Sequence, residues 1–207
     1  TAGCAERTRT RDEFFRLLLS NPGNATLADP LGQVQIGRND AIDISGYDRL
    51  RCWVHGGSAG GMLMGAVSNM APDLFLGIVA DVPFVDVLNT MWDKDLPLTP
   101  PEWPEWGNPI ESADDYRRIA SYAPYEQVAA QDYPAIFALA GLTDPRVTYW
   151  EPAKMVAKLR AMKTDHNLLL LKTNMGAGHG GKSGRWNRIE ENAEEYAFIL
   201  WQMGVVE

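Results

Sequence analysis

Gly56-Gly57-Ser58-Ala59-Gly60-Gly61 lies between two apolar stretches and constrains the chain more than any other segment. The run before it, Leu50 to Val54, has the content of a strand, and the segment after it, Met62 to Met70, reads as helix. A serine among small residues at a strand-to-helix turn has the G-x-S-x-G form of a nucleophile elbow. The turn is so sharp that larger side chains beside the serine would collide, which leaves Gly and Ala as the residues that fit. It lifts the hydroxyl clear of the sheet edge. The helix N-terminus behind it leaves unpaired N–H groups and partial positive charge at the reaction centre. The plainer alternative is a glycine-rich turn that opens a helix and does nothing more.

Leu74 to Val82 (LFLGIVADV), Ala135 to Ala140 (AIFALA) and Asn167 to Thr173 read as further strands. Helical patterns span Ala59 to Asn69, Ala113 to Ala120, Tyr149 to Met162 (Met155, Val156 and Leu159 on one stripe) and Ile189 to Met203. The last has an acidic first half, with Glu190, Glu191, Glu194 and Glu195. Strands alternating with helices predict an α/β fold, a mostly parallel sheet with helices on both faces. Pro83 to Pro109, carrying Trp92, Trp103 and Trp106, is expected to be a long ordered excursion without regular elements. Ahead of Gly46 no motif is visible. Arg11 to Ser20 can form a short helix with Phe14, Leu17 and Leu18 on one side, Asn21 to Pro30 is turn-rich, and Gln33 to Ile36 is a weak strand.

In sheets of this kind functional groups gather beyond the carboxyl ends of the strands. A serine hydroxyl needs a base, and the base needs a carboxylate to hold its tautomer. The chain has three histidines. His55 directly precedes the elbow, and His166 lies before its strand, at the opposite edge. His179 follows that strand in a loop with Gly176, Gly178, Gly180 and Gly181, on the same edge as Ser58. Its plainer alternative is an exposed loop histidine. For the acid, Asp144 follows the strand Ala135 to Ala140, while Asp81 and Asp86 compete from the end of Leu74 to Val82. The order Ser, acid, His expected of α/β-hydrolases favours Asp144, whose alternative role is a turn aspartate before Pro145.

The 207 residues, 45% of them hydrophobic, suffice for one domain with a sizeable core. A formal net charge of −8 argues against non-specific nucleic-acid binding and is compatible with a cationic substrate. Cys4 and Cys52 form no spaced pair with each other or with histidine, so neither a zinc site nor a disulfide framework is expected. That fits a reducing, cytoplasmic setting. No apolar run is long enough to span a bilayer, and no h-region marks a signal peptide, so no membrane partner is expected.

From about Leu50 to Trp201 the chain resembles the C-terminal part of the catalytic domain of prolyl oligopeptidase-type serine peptidases, and oligopeptidase B most of all. The matching stretches are Gly56 to Met64 (GGSAGGMLM), Val82 to Val87 (VPFVDV), Glu105 to Pro109 (EWGNP), Ser121 to Val128 (SYAPYEQV), Gly141 to Lys154 (GLTDPRVTYWEPAK) and Gly176 to Gly181 (GAGHGG). The resemblance implies an α/β-hydrolase fold and cleavage of short peptides, in oligopeptidase B after Arg or Lys. It implies Ser58 as nucleophile, Asp144 as acid and His179 as base, with no metal or organic cofactor. One oxyanion donor would be the Ala59 N–H. The family's other donor, a tyrosine hydroxyl, falls outside the matched region, and losing such a donor costs about a hundred- to a thousand-fold in rate.

Glu102 falls on one of two acidic positions that receive a basic P1 side chain. The other position is Pro104 here, which leaves Glu105 as the candidate substitute. A carboxylate in a partly dehydrated pocket would meet an Arg fork. Arg146 resembles an arginine that binds a substrate carbonyl. Residues 1–46 are an unassigned N-terminal segment and candidate capping region, and 47–207 a partial α/β-hydrolase catalytic domain. The strand before the elbow would have one open edge, to be covered by Phe14, Leu17 and Leu18 or by self-association. Two other functions suit the same residues: a carboxylesterase, and an inactive fragment acting as an interaction module.

Overall fold

The structure, a computed structural model, describes residues 33–35, 41–43 and 52–205. The chain divides into two units, Thr1–Cys52 and Trp53–Glu207. In the first, β1 (Gln33–Gln35) pairs antiparallel with β2 (Ala41–Asp43), with Val34 opposite Ile42. Phe14, Leu17 and Leu18 lie outside the described residues.

The other elements follow as β3 (Cys52–Gly57), α1 (Ala59–Met70), β4 (Phe75–Asp81), α2 (Val87–Trp92), α3 (Thr99–Trp106), α4 (Ala113–Tyr122), β5 (Ala135–Gly141), α5 (Trp150–Met162), β6 (Leu169–Asn174) and α6 (Arg185–Gln202). The four-stranded sheet has the order β3-β4-β5-β6. β4 and β5 run parallel with Val79 opposite Phe137, and β5 and β6 run parallel with Gly141 opposite Asn174.

Side chains alternate across a strand, and this alternation divides the core. Ile78, Ala80 and Ile136 pack on one face with Met64 of α1 and Met155 and Leu159 of α5. Val79, Ala135, Phe137 and Leu139 pack on the other with Phe198 of α6. Full burial of each large aliphatic or aromatic chain is worth about 1.5–3 kcal/mol. β5 is buried along its whole length, which is why its sequence reads as an unbroken apolar run. No helix among the described residues is long and apolar enough to cross a membrane.

The excursion from Pro83 to Pro109 departs from the sequence expectation, because it contains α2 and α3. In α2, Val87, Leu88 and Met91 are buried on one side at helical spacing. In α3, Pro100 and Pro101 fall in the first turn, where their missing N–H groups cost nothing. Prolines and tryptophans hide a helical period in a segment this short. Their packing decides it: Trp103, Trp106 and Met62 cover a third cluster of Phe84, Val87, Met91, Ile119 and Val147. Ser112 opens α4 by accepting from the Asp115 N–H at 3.1 Å. α6 begins about a turn earlier than Ile189, directly after Gly184, whose φ of 115° suits glycine and ends the preceding loop.

Buried acids lie outside these clusters. Glu151, fully buried at the start of α5, accepts from the Asp86 N–H (3.0 Å) and from Thr90 Oγ1 (2.9 Å). Asp86 is itself buried and pairs with Lys154. Burial pushes the Glu151 carboxyl up to about 7 against the pull of its donors. Between its ordinary value of 4.5 and about 7, the folded chain keeps a proton that the unfolded chain releases. Its stabilising contribution is therefore complete at low pH and lost as pH rises through that window. In Glu151→Gln, Oε1 can accept from Asp86 N while Nε2 donates to Thr90 Oγ1. The variant is expected to exceed the native protein in stability by about 3 kcal/mol at pH 8. The gain should vanish near pH 4.5, as read by thermal unfolding at the two pH values.

Candidate active site

Ser58 stands between β3 and α1 with φ 56° and ψ −122°, a left-handed conformation that costs a non-glycine residue about 1–3 kcal/mol. Three backbone bonds hold it there. Its N–H donates to Asp81 O (3.0 Å), and its carbonyl accepts from Met62 N (3.1 Å) and Phe84 N (3.0 Å). The requirement for small neighbours falls on particular glycines. A Cβ at Gly56 would lie 2.4 Å from Gly60 O, and one at Gly61 would lie 2.5 Å from Pro83 Cα. At Gly60 a Cβ would meet nothing within 4 Å, so that position is not sterically required. Ala59 opens α1, and no described residue accepts its N–H. That leaves a free donor at the positive end of the helix.

A second strained residue adjoins the first. Val82, directly after β4, has φ 39°, an outlier for a β-branched side chain. No sequence signal marks it. Its N–H donates to Leu139 O at 3.0 Å, tying the exit of β4 to β5.

Asp144 and His179 come from neighbouring strands. The turn after β5 closes through Asp144 N to Gly141 O at 3.2 Å. Asp144 Oδ1 accepts from the backbone N–H of Arg146 (2.8 Å) and of Val147 (3.0 Å). Its Oδ2 lies 2.7 Å from His179 Nδ1. The Asp144 carboxylate is completely buried, whereas the imidazole is about one-fifth exposed. Contact between the two loops depends on Gly141, where a Cβ would fall 2.6 Å from Gly178 O and 2.7 Å from Ala177 O. Thr143 adds two bonds to Ala177 O, from its N–H (3.1 Å) and its Oγ1 (3.0 Å).

Of the competing residues, His55, His166 and Asp86 are engaged or exposed elsewhere, whereas Asp81 shares a cleft with His179. His55 is exposed and lies 3.7 Å from Glu195, and His166 is exposed ahead of β6. Asp86 is committed to Lys154 and Asn89. Asp81 lines a cleft of about 150 Å³ with Val82, His179, Lys172, Glu191 and Glu195. Burial raises its carboxyl, His55 opposes the rise and Glu191 adds to it. Ser58 Oγ makes no hydrogen bond with a described residue, and such contacts commonly tighten only when substrate binds.

The tryptophan-rich segment reaches the elbow through Phe84. The Phe84 N–H is bonded to Ser58 O, and its ring packs edge-on against Trp106 at 5.4 Å. Val147, whose N–H holds Asp144, is buried in the same cluster. One apolar body therefore braces both the serine turn and the aspartate turn, and its helical part was hidden in the sequence. On α3, Glu102 Oε2 accepts from Trp106 Nε1 at 3.1 Å, while Pro104 and Glu105 are exposed. Arg146 is also exposed, and its guanidinium is not bonded to a described residue. No group of three or more His, Cys, Asp or Glu side chains among the described residues is arranged to hold a metal ion.

A strained serine at the head of a helix and an aspartate–histidine pair beyond the next strands, all on one parallel sheet, are the architecture of an α/β-hydrolase catalytic domain. The profile of the prolyl oligopeptidase family matches residues 31–206, and the chain belongs to that family. Protease 2 of Moraxella lacunata is 60% identical over 150 residues, which cover 72% of this chain and 22% of that protein. Dipeptidyl aminopeptidase BI of Pseudoxanthomonas mexicana is 50% identical over 175 residues, 80% of this chain and 24% of that protein. Among solved structures, oligopeptidase B from Leishmania major superposes with a TM-score of 0.72 at 50% identity, over 74% of this chain and 21% of that one. The chain thus spans 22–24% of the length of these curated relatives.

Proposed function

We propose that this chain carries the acyl-transfer site of a serine peptidase that cleaves short peptides after Arg or Lys. In this reading Ser58 attacks the scissile carbonyl and His179 takes its proton. Asp144 holds the imidazole with its proton on Nδ1, so that Nε2 is the basic nitrogen. The Ala59 N–H donates to the developing oxyanion. His179 passes the serine proton to the amine as the C–N bond breaks and the amine leaves. Water then attacks the acyl-enzyme, giving a proton to His179, which returns it to Ser58 Oγ as the ester bond breaks. The observation that carries the reading is the 2.7 Å contact between His179 Nδ1 and an Asp144 carboxylate already held by two backbone N–H groups.

A basic P1 side chain would be received by Glu102 and Glu105, with Arg146 on the substrate backbone. Support comes from the half-buried position of Glu102, which its bond to Trp106 fixes on the segment braced against the elbow. Self-association is part of the same proposal, because β3 stands at the end of the strand order with its outer side unpaired among the described residues.

The test is covalent labelling by a fluorophosphonate, with Ser58→Ala as the unlabelled control, followed by turnover of arginyl, lysyl and prolyl amides and a simple aryl ester. Labelling with preference for the basic amides is expected. Folded protein that resists the probe would overturn the acyl-transfer role. Turnover of the ester alone would point to a carboxylesterase.

A further inference from the structure

His179 lies in a connection that is expensive to order. Between β6 and α6 the chain runs through Gly176, Gly178, Gly180 and Gly181, and each glycine loses more backbone freedom on folding than any other residue. The Asp144 contact fixes the imidazole itself. The loop is fixed at both ends by one side chain from the next helix. Glu191 Oε1 accepts from Asn174 Nδ2 at 2.6 Å, on the strand side of the loop. The same carboxylate accepts from the Lys182 N–H, at 3.1 Å to Oε1 and 3.3 Å to Oε2, on the helix side.

The backbone is shaped around this carboxylate. Gly181 has φ 78°, a conformation that L side chains rarely adopt, and a Cβ there would fall 2.4 Å from Glu191 Oε2 and push the carboxylate aside. Within the clasp, Asn174 Oδ1 accepts from Gly176 N (3.2 Å), Asn174 O from Ala177 N (3.3 Å), and Gly178 O from Gly181 N (3.2 Å).

We propose that Glu191 is a positioning residue: by gripping Asn174 and Lys182 together it closes the His179 loop and holds the imidazole where it can serve both Asp144 and Ser58. This rests on the triad reading above. With the grip released, the glycine-rich loop samples open conformations in which the imidazole is displaced, and a displacement of about 1 Å at a reacting group costs about a hundredfold in rate. The effect falls on the chemical step and not on binding. Geometry matters here more than charge, because Oε1 accepts from both Asn174 and Lys182, with Oε2 only a longer second acceptor for the Lys182 N–H. A glutamine keeps that oxygen and an alanine does not.

The experiment compares native chain, Glu191→Ala, Glu191→Gln and Asn174→Ala by two readouts. One is the rate of fluorophosphonate labelling, with KM and kcat measured separately on a turned-over substrate. The other is the low-field proton resonance of the His179 Nδ1–H held by Asp144, assigned by its loss in His179→Ala. Glu191→Ala is expected to slow labelling about ten- to a hundredfold with KM nearly unchanged, and to broaden the imidazole proton. Glu191→Gln should stay within about fivefold of native and keep the resonance, since its Oε1 can still accept from Asn174 and Lys182.

Glu191→Ala protein that labels at the native rate with a sharp imidazole proton overturns the proposal, whatever its melting temperature. Should that variant not fold, Asn174→Ala releases the other end of the clasp and carries the same expectation. A native labelling rate in His179→Ala would defeat the triad reading instead. The imidazole proton tests the clasp whether or not the serine reacts.

Discussion

Asp144→Asn is expected to slow acylation of Ser58 by about ten-thousand-fold while the fold and melting temperature change little. The size of the effect follows from which atoms can accept. Oδ1 receives two backbone N–H groups, from Arg146 and Val147, so an amide nitrogen placed there would set donors against donors. The asparagine must therefore keep its oxygen at that position and turn its NH2 toward His179. An NH2 at the Oδ2 position donates to Nδ1, 2.7 Å away, and the imidazole must answer by carrying its proton on Nε2. The nitrogen that should accept the serine proton is then already protonated. Fluorophosphonate labelling rates of Asp144→Asn and native protein would measure the loss, and the circular-dichroism melt would check the fold. A loss of tenfold or less would mean that Asp144 only braces its own turn.

Gly141→Ala is expected to cost about a hundredfold in the same labelling rate, and 1–3 kcal/mol in stability. The added methyl would stand 2.6 Å from Gly178 O and 2.7 Å from Ala177 O, distances that carbon and oxygen do not share without movement. β5 is buried throughout, so its backbone cannot retreat. The glycine-rich loop gives way instead, carrying His179 with it. Labelling and thermal unfolding in parallel separate the two effects. Stability lost with the native labelling rate would show that the loop tolerates displacement, and would weaken the role given to Gly141.

Much of this was legible in the residues. The elbow is visible because its requirements are local: an apolar strand, small residues about Ser58, and an amphipathic helix. The strands Ala135 to Ala140 and Asn167 to Thr173 lie close to β5 and β6: fully buried β5 is an unbroken apolar run, and half-buried β6 opens on three leucines. The sequence hides α2 because six residues are too few to show a period, and α3 because prolines and glutamates break its pattern, while the packing of Met91, Trp103 and Trp106 that stabilises them comes from elsewhere in the chain. The G-x-S-x-G pattern places the demand for small residues all around the serine, yet in the structure it falls on Gly56 and Gly61 and not on Gly60. Nothing local distinguished Glu191 from its neighbours Glu190, Glu194 and Glu195.

The sequence by itself determined which segments become the strands of the sheet and the helices α1, α4, α5 and α6, and so which loops lie beyond the carboxyl ends of the strands. It did so because periodicity and glycine punctuation act over a few residues. Which groups meet within those loops was decided by tertiary structure. Gly141 pairs with Asn174 across β5 and β6, and that register sets the aspartate turn against the histidine loop. Contacts between residues far apart in sequence, such as Asp144 with His179, Asp86 with Lys154 and Glu191 with Asn174, depend on how strands align and helices dock. That alignment is a property of the whole packed body and of no single stretch.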